Sequence, residues 1–185
     1  MTAPLDTIRI GANGQVYAAP VGTVRPTDFT TPFPSAWINL GRTDDNGAQI
    51  TDTKTIADIP VWQSLYPARK IITARAFEVV FTLRDWTRAS FSLAFGGGTW
   101  VADTDVVSYH PPDPSVIDTR ALCVDWQDNG HNYRFFVSEG LVTGNVQTKL
   151  VRNAAADLPI TFDAIGIDGV DPWGFETDDE AFVSP

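Results

Sequence analysis

Residues Lys70 to Gly98 read KIITARAFEVVFTLRDWTRASFSLAFGGG, and the middle of that stretch decides the fold. From Arg75 the residues alternate: Phe77, Val79, Phe81 and Leu83 share one face, and Ala76, Glu78, Val80, Thr82 and Arg84 share the other. A period of two over this length, rich in aromatic and β-branched residues, predicts a long and mostly buried β-strand. The pattern then changes. Asp85 is a good residue to cap a helix start. Trp86, Ala89 and Leu93 fall at i, i+3 and i+7, and Phe91 and Phe95 are four apart, which predicts an amphipathic helix with an aromatic stripe. The alternation Phe91, Leu93, Phe95 fits a strand as well. Gly96-Gly97-Gly98 stops the element, because glycine accepts the left-handed conformations that a helix end requires.

Outward from this centre, the chain of 185 residues is one domain with room for arms, and at 43% hydrophobic residues it has ample material for a core. No apolar run approaches a transmembrane span, and the start, Met1 to Asp6, is polar with no signal-peptide pattern. The single cysteine, Cys123, excludes an internal disulfide and suits a reducing compartment. With 14 glycines, 13 prolines and few helical stretches, the composition favours an all-β class. The formal charge of −10 leaves no basic footprint for binding duplex phosphate. It keeps a protein soluble, and it equally suits a surface that nucleic acid passes without sticking.

Asn13-Gly14 introduces a short strand over Gln15 to Ala18, and a proline-bearing extended loop follows from Val24 to Pro34. Trp37 to Leu40 is a second short strand, and Asp44-Asp45-Asn46-Gly47 is a turn signal. Gln49 to Thr55 alternates weakly with neither face apolar, so its register is poorly specified without a partner from another chain. Ala57 to Pro67 then reads as an irregular loop carrying Trp62, Leu65 and Tyr66, side chains that are costly to leave in water. Residues 44–70 are therefore expected to form an extended loop or arm with a function of its own. Later strands are expected at Trp100-Val101, Val106 to Tyr109, Arg120 to Trp126, Tyr133 to Ser138, Leu141 to Val151 and Pro159 to Ile167. Asn129-Gly130 is the best hairpin dipeptide in the chain, and Glu139-Gly140 reads as a further turn. The spacing implies an antiparallel β-sandwich or barrel with one flanking helix. The divisions are an arm over 1–13, the β domain over 14–167, and an acidic, mobile arm over 168–185.

Catalytic and metal-binding patterns are missing from the sequence. His110 precedes two prolines and His131 follows the hairpin turn, neither with a second ligand at metal spacing. Cys123 lies between Leu122 and Val124 as a small buried hydrophobe would. The acidic clusters at Asp44-Asp45, Asp103/Asp105, Asp163/Asp168/Asp171 and Asp178-Asp179-Glu180 do not match a calcium loop. No G-x-S-x-G, Walker A or G-x-G-x-x-G motif occurs. No enzymatic activity, cofactor or metal is expected. The six tryptophans offer one competing function, a sugar-stacking platform on a β-sandwich.

The order of turns and aromatics carries a resemblance. Gly14 to Thr23 (GQVYAAPVGT), Pro26, then Ala36-Trp37-Ile38-Asn39-Leu40-Gly41 resembles the start of the major tail proteins of long-tailed, non-contractile bacteriophages. Asp45-Asn46-Gly47, Ile59 to Gln63, the Phe77 to Leu83 strand and the glycine-rich stop follow in the family's order. The resemblance implies two packed antiparallel sheets with a flanking helix. It further implies hexameric rings that join strands into one barrel and stack into a hollow tail tube through which DNA leaves. Under that reading Gln49, Thr51, Thr53, Ile59, Trp62, Leu65 and Tyr66 make assembly contacts. Glu78, Asp125 and Glu139 are then candidates for an acidic lumen, and both terminal arms order on assembly. The implied partners are further copies of the chain, a tape measure protein, a tail terminator and distal tail or baseplate proteins. DNA passes through unbound, no membrane is involved, and the product sits in the virion tail. A single-ring terminator or adaptor, or a tube subunit of the type VI kind, shares the same implied fold.

Overall fold

The computed structural model describes residues 8–182. The strands are β1 (Ala12–Pro20), β2 (Ile38–Asn39), β3 (Thr43–Val61), β4 (Ser64–Leu83), β5 (Thr99–Ala102), β6 (Val107–His110), β7 (Arg120–Asp128), β8 (His131–Val142), β9 (Leu158–Ala164) and β10 (Trp173–Thr177). One helix, α1 (Arg88–Ala94), follows β4, and a 3₁₀ turn spans Glu180–Phe182. The main sheet runs β2-β1-β7-β8-β9-β4-β3, with β10 on β8, and β5-β6 form a separate hairpin. Every pairing is antiparallel, as the turn-rich sequence predicts.

The sheet folds on itself along β8. That strand pairs with β7 from His131 to Val137 and, past a register shift, again at Gly140, and it pairs with β9 from Gly140 to Val142. Gly140, paired with Arg120 on one side and Ala164 on the other, marks the corner rather than the expected turn. A Cβ there would lie 2.4 Å from the Phe162 ring and 2.5 Å from the Asp163 carbonyl oxygen, so only glycine lets the strands approach this closely. The two layers face each other across one core. Val16, Leu122, Val124 and Val137 contribute from one side, and Phe77, Val79, Phe81, Leu83, Leu158, Ile160 and Phe162 from the other. The alternating face read from the sequence is thus the core face of β4. Each such side chain contributes roughly 1.5–3 kcal/mol by leaving water.

A second apolar cluster lies on the opposite face of β1, β7 and β8, where Trp37 and Phe33 cover Ala19, Ala121, Cys123 and Phe136. The segment that brings them is pinned by Arg134. Its guanidinium donates to Asp125 at 2.7 and 3.1 Å and to the Pro26 carbonyl at 3.2 Å, and lies 4.8 Å from the Phe29 and Phe33 rings.

Helix α1 starts later than the sequence suggests. Thr87 is the cap: its hydroxyl accepts from the Ser90 amide, and the Ser90 hydroxyl accepts from the Thr87 amide at 2.8 Å. Asp85 instead accepts from the backbone and guanidinium of Arg42. Leu93 and Ala94 enter the main core, but Phe91 packs tilted against Trp86 and Phe95 and edge-to-face against Trp100 and Tyr109, so the aromatic stripe holds the β5-β6 hairpin.

Four further expectations need correction. Asp44 to Gly47 is a bulge inside β3, between the pairs Thr43↔Leu83 and Ala48↔Phe81. Ala57 to Pro67 is not an irregular loop but the end of one long hairpin, paired as far as Val61↔Ser64. The strand expected over Leu141 to Val151 stops at Val142, the end of β8, where Gly144 has room for no Cβ against the Thr161 side chain. The C-terminal segment is not free: β10 pairs with β8, and Trp173 stacks on Phe77 at 4.3 Å. Most of the N-terminal arm, residues 1–7, lies outside the described residues.

Candidate assembly surface

The hairpin β3-β4 has two parts. Its root is sheet: β4 is held between β3 and β9, with Glu78 opposite Thr51 on one side and Asp163 on the other. The last β4-β9 pair toward the tip is at Glu78; from Phe77 outward β4 has β3 alone as a partner. Residues 52–77 therefore form a two-stranded arm that extends about 30 Å past the body, at about 3.3 Å per residue. An isolated two-stranded ribbon is marginal in water. Here continuity with the anchored root fixes its register.

The arm's side chains are almost wholly exposed. At its end, across the two-residue turn Trp62-Gln63, Trp62 is 98% exposed, Leu65 103% and Tyr66 82%. Ile59, Val61, Ile56 and Ile72 are also exposed along the ribbon. A concentration of large apolar groups in water marks an interaction surface. The arm is also basic: Lys54, Arg69, Lys70 and Arg75 against Asp52 and Asp58, in a chain of net charge −10. Lys54 pairs with Asp52 at 3.2 Å and Lys70 with Asp58 at 2.7 Å, while Arg69 and Arg75 have no acidic partner among the described residues.

The structure separates the residues singled out in the sequence into two groups. Ile59, Trp62, Leu65 and Tyr66 gather at the outer part of the arm. Gln49, Thr51 and Thr53 lie at its root, opposite Val80, Glu78 and Ala76. The root also presents the outer face of β3-β4-β9, polar through Gln49, Thr51, Glu78, Thr161 and Asp163, with the Thr143 hydroxyl donating to Asp163 at 2.6 Å. Glu78 belongs to this open face. Glu139 sits at the corner of β8, its carbonyl accepting from Ile165. Asp125 lies on the face covered by the Phe29–Phe33 segment, its carboxylate bound to Arg134. Sequence reading missed Asp163, Arg69 and Arg75. A charge tally of the segment would have found the two arginines.

Among the described residues neither a free nucleophile nor a sugar platform is assembled. Burial pushes the Cys123 thiol well above its ordinary range. Trp37, Trp100, Trp126 and Trp173 are engaged in aromatic contacts within the fold, Trp86 packs on Phe91 and donates to the Ala156 carbonyl, and Trp62 alone of the six stands almost wholly in water. No described helix is long and apolar enough to cross a membrane.

A folded antiparallel sheet whose long end strand has no outer partner among the described residues, and which carries an exposed arm, is built to associate. Over residues 1–184 the sequence matches the family of phage tail tube proteins. The chain belongs to that family. No curated protein matches it. As a tail tube protein it is a structural component of the virion tail, not an enzyme, and its copies assemble into a tube.

Proposed function

We propose that six copies form a ring, that rings stack into the tail tube of a non-contractile phage tail, and that the genome leaves through the lumen. The observation that carries this reading is the free edge of β3. Among the described residues the sheet ends in a 19-residue strand with no partner on its outer side. At the other end, β2 pairs with β1 only at Tyr17 and Ala18, leaving the rest of β1 uncovered by it. Edge-to-edge joining of copies removes both liabilities at once and closes a barrel. The polar face of β3-β4-β9 then lines the lumen, where Glu78, Asp163 and Glu139 repel phosphate and let DNA slide. Asp125, already bound to Arg134, contributes little net field there. Gln49, Thr51 and Thr53 make contacts at the root, and Ile59, Trp62, Leu65 and Tyr66 make them through the arm. The tube encloses a tape measure protein and ends on a terminator and on distal tail proteins, assembled in the host cytoplasm.

The test replaces residues 54–75 with Asn-Gly, joining the paired residues Thr53 and Ala76 through a tight turn. The body keeps its core, so the variant should fold with an unchanged thermal midpoint and form no tubes in negative-stain electron microscopy. Tubes of normal length from the armless protein would refute the role given to the arm.

A further inference from the structure

The folded sheet has an open seam. Where β2 leaves β1 uncovered, Asn13 to Val16 face the Asp44–Gly47 bulge of β3, and among the described residues no backbone pairing joins the two strands. The gap is a cleft of about 750 Å³ with an apolar floor of Val16, Ile50, Trp126 and Phe135. Packed interiors hold few voids larger than one water, about 30 Å³, so a space of this size over core residues is a seat and not a packing defect. At the rim, one oxygen of Asp44 is shielded from water with no hydrogen-bond partner among the described residues, so the seat also calls for a donor. The exposed Asp45 carboxylate beside it repels nucleic acid, and the two arginines at the cleft are already committed, Arg9 to Asp179 and Arg42 to Asp85.

The chain itself delivers an occupant to the mouth of this cleft. Arg9 lines it and donates to the buried Asp179 at 2.8 Å, and the Ile10 amide donates to Asp128 at 2.9 Å. The Ala12 amide donates to the Ile10 carbonyl at 2.9 Å, a tight three-residue turn just before β1. The residues before Ile8 therefore set out from the cleft. They read MTAPLDT, and along an extended chain Met1, Ala3 and Leu5 share one face. Residues 1–7 reach about 23 Å at about 3.3 Å each, against about 13 Å for the stretch of β1 from Asn13 to Val16 that walls the cleft. A segment tethered this closely has an effective concentration on the order of millimolar, which favours the chain's own segment over one from a second copy. We infer that residues 1–7 fill the cleft within their own chain, with Met1, Ala3 and Leu5 toward the floor and a backbone amide or threonine hydroxyl toward Asp44, and so cover the root of β3 until assembly displaces them. The inference rests on the reading that copies join through the β3 edge. The segment then restrains the free subunit, because an uncovered edge is the part most apt to pair too early.

Removal of residues 2–7 tests it, and leaves every contact of the described body in place. In the free subunit, amide hydrogen exchange over Asp44 to Ile50 should quicken by at least about tenfold. The protein concentration at which tubes form should fall by about tenfold, the scale of one buried apolar side chain. In the full chain Leu5→Asp should reproduce both effects, and Leu5→Met should produce neither. Unchanged exchange over Asp44 to Ile50 in the shortened protein would overturn the docking. Faster exchange with an unchanged or raised threshold for tubes would overturn the restraint on assembly. Loss of tubes with unchanged exchange would assign the segment to a contact between copies, refute the inference and leave the edge-joining reading standing. Tubes from neither protein at any concentration would sink that reading, while exchange in the free subunit would still decide what fills the cleft.

Discussion

The corner of β8 gives the sharpest test of the fold. Gly140→Ala adds one methyl group at a point where its carbon would sit 2.4 and 2.9 Å from two atoms of the Phe162 ring and 2.5 Å from the Asp163 carbonyl oxygen. Ordinary contact needs about an ångström more. Phe162 cannot yield by rotating into solvent, because it is fully buried among Val79, Ile160 and the rest of the core. The carbonyl belongs to the paired backbone of β9. Both layers must therefore separate locally, and overpacking of this kind costs about 1–3 kcal/mol, here toward the upper end because backbone as well as side chain must move. For a chain of this size that corresponds to a fall of about 5–10 °C in thermal midpoint. The assay is thermal unfolding by circular dichroism, with Gly11→Ala as control, since nothing lies within 4 Å of a Cβ at that position. Phe162→Leu added to Gly140→Ala should recover part of the loss. A midpoint for Gly140→Ala within 1 °C of the control, with ~1 °C taken as the resolution of the scan, would falsify the corner argument.

Asp179 accepts hydrogen bonds from the Tyr133 hydroxyl at 2.6 Å, the Ala181 amide at 2.9 Å and Arg9 at 2.8 Å, and these hold its carboxyl down at about 2. A carboxyl depressed on folding adds stability above its unfolded range, near pH 4, and loses it as pH falls toward 2. Asp179→Asn should thus be less stable than wild type at pH 7, with a midpoint that declines less between pH 4 and 2; parallel curves would sink the argument. Arg134→Met removes the charge that Asp125 and the Phe29–Phe33 segment are built around. It should cost about 3 kcal/mol in urea unfolding, somewhat relieved by Asp125→Leu, and expose residues 24–37 to proteolysis. Unchanged stability and proteolysis would show that apolar packing alone holds that segment.

The central strand was legible because its evidence is local: four apolar residues at a period of two can bury only one face, and they do. Asn129-Gly130 was legible for a similar reason, with both residues at positive φ (48° and 86°) in a two-residue hairpin turn. The arm was half legible. Its poor amphipathicity and exposed aromatics pointed to contacts outside the chain, but Pro60 and Pro67 argued against strand. An end strand and a free ribbon tolerate proline because some of their amides need no ladder partner. The cap of α1 went to Thr87 because Ser90, three residues on, returns its hydrogen bond, which Asp85 could not obtain from the same helix.

The sequence by itself determined the β class, the buried face of β4, the tight turn after β7, the acidic balance, and the likeness to tail proteins carried by the order of its turns. These are properties of short segments or of composition. Tertiary structure decided the rest. It turned β8 at Gly140, drew Trp173 and Phe175 onto the sheet, placed Asp125 against Arg134 and Glu78 beside Asp163, and left the arm basic and bare. Each depends on which distant segments pair and which faces stay uncovered, and periodicity within one strand holds no information about its neighbour across the sheet.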